Sequence, residues 1–183
     1  MEEIRGRARA MLCFPQMATK AQIPPEQYFH MTFEHDAEFV HGEIVHRAMP
    51  NYTYGRIQTL LSSLFEAVRS PHRLFACSDV RMKLAPDLYR IPDTAVFAIP
   101  PKTEVPEQAP LAVIEILSPD DRYHDVVQKL EEYRAWGVPN IWVVDPLAKR
   151  FAIYRDWGLQ YVSSLALADY PFELTPGNLF SDL

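Results

Sequence analysis

The run Leu111 to Leu117 constrains this chain most. It is apolar throughout except at Glu115, which suits a strand covered on both faces. Ser118-Pro119-Asp120-Asp121 then supplies helix-start chemistry, with acids near the positive end of a helix dipole. A helix is expected from about Arg122 to Trp136, with Val126, Leu130 and Tyr133 as its inner stripe and a stop at Gly137-Val138-Pro139. Asn140 to Val144 reads as a short buried strand ending at Asp145-Pro146. A strand, a crossover helix and a further strand call for an α/β architecture in which helices cover a sheet.

The upstream half fits the same layering. Phe39-Val40 and Ile44-Val45 flank Gly42, which predicts a small N-terminal β-hairpin. Ile57, Leu60, Leu61, Leu64, Phe65 and Val68 recur at three- and four-residue steps, predicting a helix over Tyr52 to Val68 that stops at Ser70-Pro71. Leu74 to Leu84 and Tyr89 to Ile99 read as two strands separated by a Pro86-Asp87 turn. The proline-rich stretch Pro100 to Pro110 reads as a connector. Phe151 to Tyr154 is expected to pair antiparallel with the strand before it, and Tyr161 to Leu183 is mixed. The fold class is therefore α/β, with a mixed central sheet flanked by helices and an N-terminal hairpin extension.

The totals bound the function classes. A chain of 183 residues with 48% apolar and 23% charged residues suits one soluble domain, expected over residues 26–183 behind a loosely ordered arm over 1–25. No apolar run is long enough to span a bilayer, and the first twenty residues lack a signal-peptide core. Cys13 and Cys77 are too few for a disulfide framework, which points to the reducing cytoplasm. A formal net charge of −6 counts against a strong sequence-independent grip on nucleic acid. His30, His35, His41 and His46 fit no zinc-ligand spacing.

Two acids stand out because an unpaired charge inside an apolar strand is costly. Asp93 follows Ile91-Pro92 and shares a strand face with Ala95 and Phe97, while Glu115 shares one with Val113 and Leu117. If their strands are neighbours, the carboxylates converge into a site for a hard divalent cation. Either acid alone is explained equally well by a solvated strand end. Lys129 lies one helical turn after Asp125 and one before Tyr133. That spacing alone reads as a surface ion pair worth roughly 0.3–0.5 kcal/mol. Following directly on the Glu115 strand, it instead brings a cation toward the acids.

The ordered set resembles the PD-(D/E)XK nuclease superfamily, and more narrowly the Uma2 family of restriction-endonuclease-like proteins. The resemblance rests on Glu38, Gly42-Glu43-Ile44, Met49-Pro50, Pro92-Asp93, Ile114-Glu115-Ile116-Leu117-Ser118-Pro119, Asp125, Lys129, Tyr133, Gly137-Val138-Pro139 and Trp142-Val143-Val144-Asp145-Pro146. It runs from about Phe33 to Tyr154. It implies a nuclease in which Asp93, Glu115 and the backbone carbonyl of Ile116 hold Mg2+ or Mn2+. Lys129 would act on the attacking water and the phosphate, Asp125 would hold Lys129, and Tyr133 and Glu38 would support the site. The superfamily's lysine position two residues after the glutamate is Leu117 here, so Lys129 would reach the site from the helix. Tyr54 stands where many relatives carry a histidine. The implied partner is nucleic acid, DNA in the first instance, bound by a homodimer. The alternative is a catalytically inactive nuclease fold that serves binding or assembly.

Overall fold

A computed structural model of the chain describes residues 23–33, 36–68, 72–181 and 183. Most of the expected arm, up to residue 22, lies outside the described residues, as do His35 and Ser70-Pro71. A short helix α1 (Pro25–His30) leads into strands β1 (Ala37–Val40) and β2 (Glu43–His46). These form the expected hairpin, turning through His41 (φ 50°) and Gly42 (φ 89°). Two successive positive φ values match the tight turn whose twist suits paired strands, and glycine takes the second without a Cβ penalty.

Helix α2 (Tyr52–Glu66) starts where the Asn51 side chain accepts a hydrogen bond from the Tyr54 backbone N–H at 3.0 Å. Its stripe of Ile57, Leu61 and Phe65 is fully buried, each side chain contributing about 1.5–3 kcal/mol relative to exposure. The next stretch corrects the sequence expectation. The two long strands are four short ones: β3 (Phe75–Ser78), β4 (Met82–Ala85), β5 (Leu88–Arg90) and β6 (Thr94–Phe97). The first is broken at Asp79, whose φ of 53° cannot continue a strand. The second is broken at Ile91-Pro92-Asp93, where proline has no N–H to give a ladder.

Strand β7 (Ala112–Ile116), helix α3 (Tyr123–Trp136) and strand β8 (Asn140–Asp145) form the crossover unit. Helix α3 ends on Gly137 at φ 106°, in the left-handed region that glycine favours. Strands β9 (Arg150–Arg155) and β10 (Gly158–Val162) continue antiparallel. The tail resolves into β11 (Leu165–Leu167), β12 (Phe172–Leu174) and the short helix α4 (Pro176–Phe180).

Among the described residues the central sheet has the order β10-β9-β8-β7-β6-β3, with β7 and β8 parallel and the other neighbours antiparallel. The mixed sheet expected from the sequence is therefore present. The hairpin is more than an appendage: β5 pairs with β1, giving a second sheet in the order β2-β1-β5-β4.

Alternation along the strands assigns the two faces of the central sheet. Ala112, Ile114 and Ile116 face α2, packing with Ile57, Leu61 and Phe65. The tail closes that side, with Phe172 stacked on Phe65 at 4.2 Å between centroids. Ala95, Phe97, Val113 and Val143 face α3 and pack with Leu130 and Tyr133. By the same alternation Glu115 falls on the α3 side.

Candidate active site

Strand register brings the two acids together. The β6–β7 pairing of Thr94 with Ile114, continued one residue, sets Asp93 across from Glu115. The β3–β6 pairing of Ser78 with Thr94, continued likewise, sets Asp79 on the other side of Asp93. Asp93 and Glu115 are only 4% and 8% exposed. Both line a cavity of about 380 Å³ together with Glu38, Arg47, Tyr54 and Lys129.

Helix α3 delivers Lys129 and Tyr133 from one face, four residues apart. The Tyr133 hydroxyl donates to Glu115 Oε1 at 2.9 Å. The Lys129 ammonium donates to Glu115 Oε2 at 2.9 Å and to the Ile91 carbonyl at 3.1 Å, and pairs with Glu38 Oε1 at 2.9 Å. Those three partners use its three N–H donors. Asp125 also lines the cavity, but the partners that fix the ammonium are Glu115, Glu38 and Ile91 rather than Asp125. The expected Asp125–Lys129 pair is thus replaced by contacts that reach across to the sheets, which a local helical spacing does not reveal.

Glu38 is central to the cluster. Besides Lys129 it accepts from the Arg90 guanidinium at 2.7 Å and from the Ile91 backbone N–H at 2.9 Å. Arg90 in turn grips Glu132 through two N–H groups at 2.6 and 2.9 Å. Asp93 has its own set of donors. Oδ1 accepts from Arg47 Nη2 at 2.5 Å and from the Tyr54 hydroxyl, and Oδ2 accepts from the Ile116 backbone N–H. Arg47 also pairs with Asp79 at 2.5 Å, and Gln58 bridges Asp79 and the Asp93 carbonyl at 2.7 and 2.8 Å.

Arg47, Asp79, Gln58, Arg90 and Glu132 were not among the residues singled out in the sequence. The only hint for Arg47 is a cation one residue beyond the hairpin, on no periodic stripe. Its partners Asp79 and Asp93 lie 32 and 46 positions away, and Tyr54, which accepts from the same guanidinium, lies 7 away.

Burial pushes the Glu115 carboxyl up to about 8, with Lys129 opposing and Asp93 and Glu38 adding to the rise. Burial likewise raises Asp93, against Lys129 and Arg47. Glu38 is buried as well, yet Lys129, Arg90 and the Ile91 N–H together hold it below the usual carboxylate range. Burial works against the Lys129 charge, but Glu115, Glu38 and Asp93 outweigh it and raise its proton affinity, so the ammonium stays protonated. Burial and the neighbouring Asp93 raise the Tyr54 hydroxyl, so it is a hydrogen-bond donor rather than a base.

The residues present suit a divalent cation. Five carboxylates (Glu38, Asp79, Asp93, Glu115, Glu132) meet three cations (Arg47, Arg90, Lys129), an excess of two negative charges when all are ionised. Among the described residues no three His, Cys, Asp or Glu side chains form a ready cage. Magnesium does not require one, because it is commonly held by one or two carboxylates and keeps several waters.

The family match gives this mixed α/β sheet, with paired carboxylates and a lysine beside its central strands, the class of a restriction-endonuclease-like protein. The chain belongs to the Uma2 family, described as "Putative restriction endonuclease", whose model matches residues 25–175. Its fold is similar to that of the crystal structure of "a putative nuclease belonging to DUF820" from Anabaena variabilis ATCC 29413. The TM-score is 0.77 at 23% identity, over 87% of this chain and 98% of that one. No curated protein matches the chain.

Proposed function

We propose that this chain is a divalent-metal-dependent endonuclease that hydrolyses phosphodiester bonds in nucleic acid, DNA in the first instance. The observation that carries the reading is the convergence of Asp93, Glu115 and Lys129 on one cavity from two strands and a helix. Asp93, Glu115 and the Ile116 carbonyl would hold Mg2+ or Mn2+, which when bound polarises a phosphoryl oxygen and supplies a nucleophilic water near neutral pH. Lys129 acts as a fixed positive charge toward the phosphate, since a protonated ammonium stabilises developing negative charge but takes up no proton. Tyr133 holds Glu115 in place, and Glu38 holds Lys129. A homodimer would let two such sites address two strands; a monomer mass by light scattering at micromolar concentration counts against that part.

The test is cleavage of supercoiled DNA, linear DNA and structured RNA with Mg2+ or Mn2+. Cleavage is expected, and is expected to disappear in Asp93→Ala, Glu115→Ala and Lys129→Ala. Intact substrates together with no calorimetric signal for metal binding overturn the reading. One observation favours a second reading, a nuclease fold that binds without cutting: Oδ1 of Asp93 is already engaged by Arg47 and Tyr54. Tight nucleic-acid binding without turnover under any divalent ion would support it.

A further inference from the structure

We infer that Arg47 is a resident counter-cation for Asp93, exchanged for the divalent ion when the site loads, and that the released guanidinium then takes a phosphate of the substrate strand. The inference rests on the metal-dependent nuclease reading above.

Asp93 Oδ1 has two lone pairs and two donors, Arg47 Nη2 and the Tyr54 hydroxyl. Its Oδ2 accepts from the Ile116 backbone N–H in β7 and keeps a second lone pair. A cation coordinated through Oδ1 displaces a donor, and one on Oδ2 repels the guanidinium held on the same carboxylate. Tyr54 stands in the first turn of α2, beside the Asn51 cap, and its neutral hydroxyl offers a metal ion no charge to repel. Arg47 lies just past the end of β2 on a long side chain; its Nη2 also donates to the Tyr54 hydroxyl at 3.1 Å, and its Nη1 is held by Asp79 at 2.5 Å. It can release Asp93 while Asp79 keeps it tethered at the cavity wall. Asp79 itself is 35% exposed and is fixed by Gln58, so the tether sits toward the solvent side of Asp93.

Charge drives the exchange. A guanidinium and a divalent cation a few ångströms apart repel, so loading one weakens the hold of the other. The forked donors of arginine match a phosphate as well as a carboxylate. The same side chain thus neutralises Asp93 without metal and offers a phosphate contact with it.

Calorimetric titration of Mn2+ alone into wild type, Arg47→Met and Arg47→Lys tests this. Arg47→Met is expected to bind Mn2+ about tenfold more tightly than wild type, with Arg47→Lys between them. Equal or weaker binding by Arg47→Met overturns the inference and leaves the nuclease reading standing; no binding by any of the three proteins overturns both. Nucleic-acid binding by the wild type in Ca2+ provides a second readout. Adding Arg47→Met to it should lower the slope of log affinity against log salt by about one, and an unchanged slope overturns the phosphate contact. Should Arg47→Met fail to fold, the wild type answers directly. The Arg47 side-chain ¹⁵N resonance, assigned with Arg47→Lys, should shift on Mg2+ addition; a resonance unmoved at saturation overturns the exchange.

Discussion

Glu38 and Glu115 are both buried and both touch the Lys129 ammonium, yet they titrate in opposite directions. The difference lies in their other partners. Glu38 also holds the Arg90 guanidinium and the Ile91 N–H, whereas Glu115 has a neutral Tyr133 hydroxyl and the Asp93 carboxylate opposite. The sign for stability follows. A carboxyl raised from 4.5 to about 8 makes the folded state keep a proton that the unfolded chain has lost, so stability falls as pH rises across that interval. Metal-free protein is therefore expected to melt at a higher temperature near pH 5.5 than near pH 8.5, with Glu115→Gln flattening most of the slope. Mn2+ should restore the loss at the higher pH. Melting curves by circular dichroism in chelator and in Mn2+ check this, and a slope untouched by Glu115→Gln refutes it. Glu38 acts in a lower window. Its contribution is present above 4.5 and is lost as pH falls through its lower folded value. Glu38→Gln should thus blunt acid unfolding below about pH 4.5 while lowering stability at neutral pH, which acid titration followed by fluorescence would show.

Helix α3 is the element on which the site depends, because it carries both Lys129 and Tyr133. Its end is set by Gly137 at φ 106°, where a Cβ would meet only Ala109 at 4.0 Å. The cost of Gly137→Ala is therefore one of backbone conformation rather than collision, about 1 kcal/mol, read as a shifted denaturation midpoint. Asn51→Ala should cost a similar amount by removing the α2 cap, and should also loosen Tyr54 on Asp93. These helices and the β7–α3–β8 crossover were legible because periodicity and a glycine stop are local signals; the helix-start chemistry expected at Ser118 to Asp121 does not cap α3, which begins after Arg122 with no side-chain cap bond while Asp121 accepts from the Ser118 N–H. Glu115 and Asp93 were legible because ionised groups in apolar runs demand a reason. The four short strands were not, since Leu74 to Leu84 alternates well and only the left-handed Asp79 shows that it changes sheet. Arg47 and Arg90 were hidden for the same reason: they reach Asp93 and Glu38 through pairings between distant segments that no spacing along the chain encodes, whereas Glu38 entered through the family resemblance.

As a whole molecule the chain carries a formal charge of −6, of which the site's five carboxylates and three cations hold −2 when all are ionised. A polyanion should approach poorly until a divalent cation offsets that field. Fluorescence anisotropy with labelled DNA is expected to give at least about tenfold tighter binding in Ca2+ than in chelator at equal ionic strength, with affinity unchanged by Ca2+ as the contrary result. No helix among the described residues is long and apolar enough to cross a membrane. The crossing at Ile91-Pro92-Asp93 has a consequence at this scale. Arg90 ends a strand of the small sheet, and Thr94 begins one of the large sheet. Asp93 sits in the seam, while Glu38 and Arg90 tie the small sheet to α3 through Lys129 and Glu132. The spacing of the carboxylates is thus a measure of how the two sheets are set against each other. Loosening the aromatic packing under the hairpin, where Tyr28 stacks on Phe39 at 5.3 Å, would detune the proposed metal site without touching any of its residues.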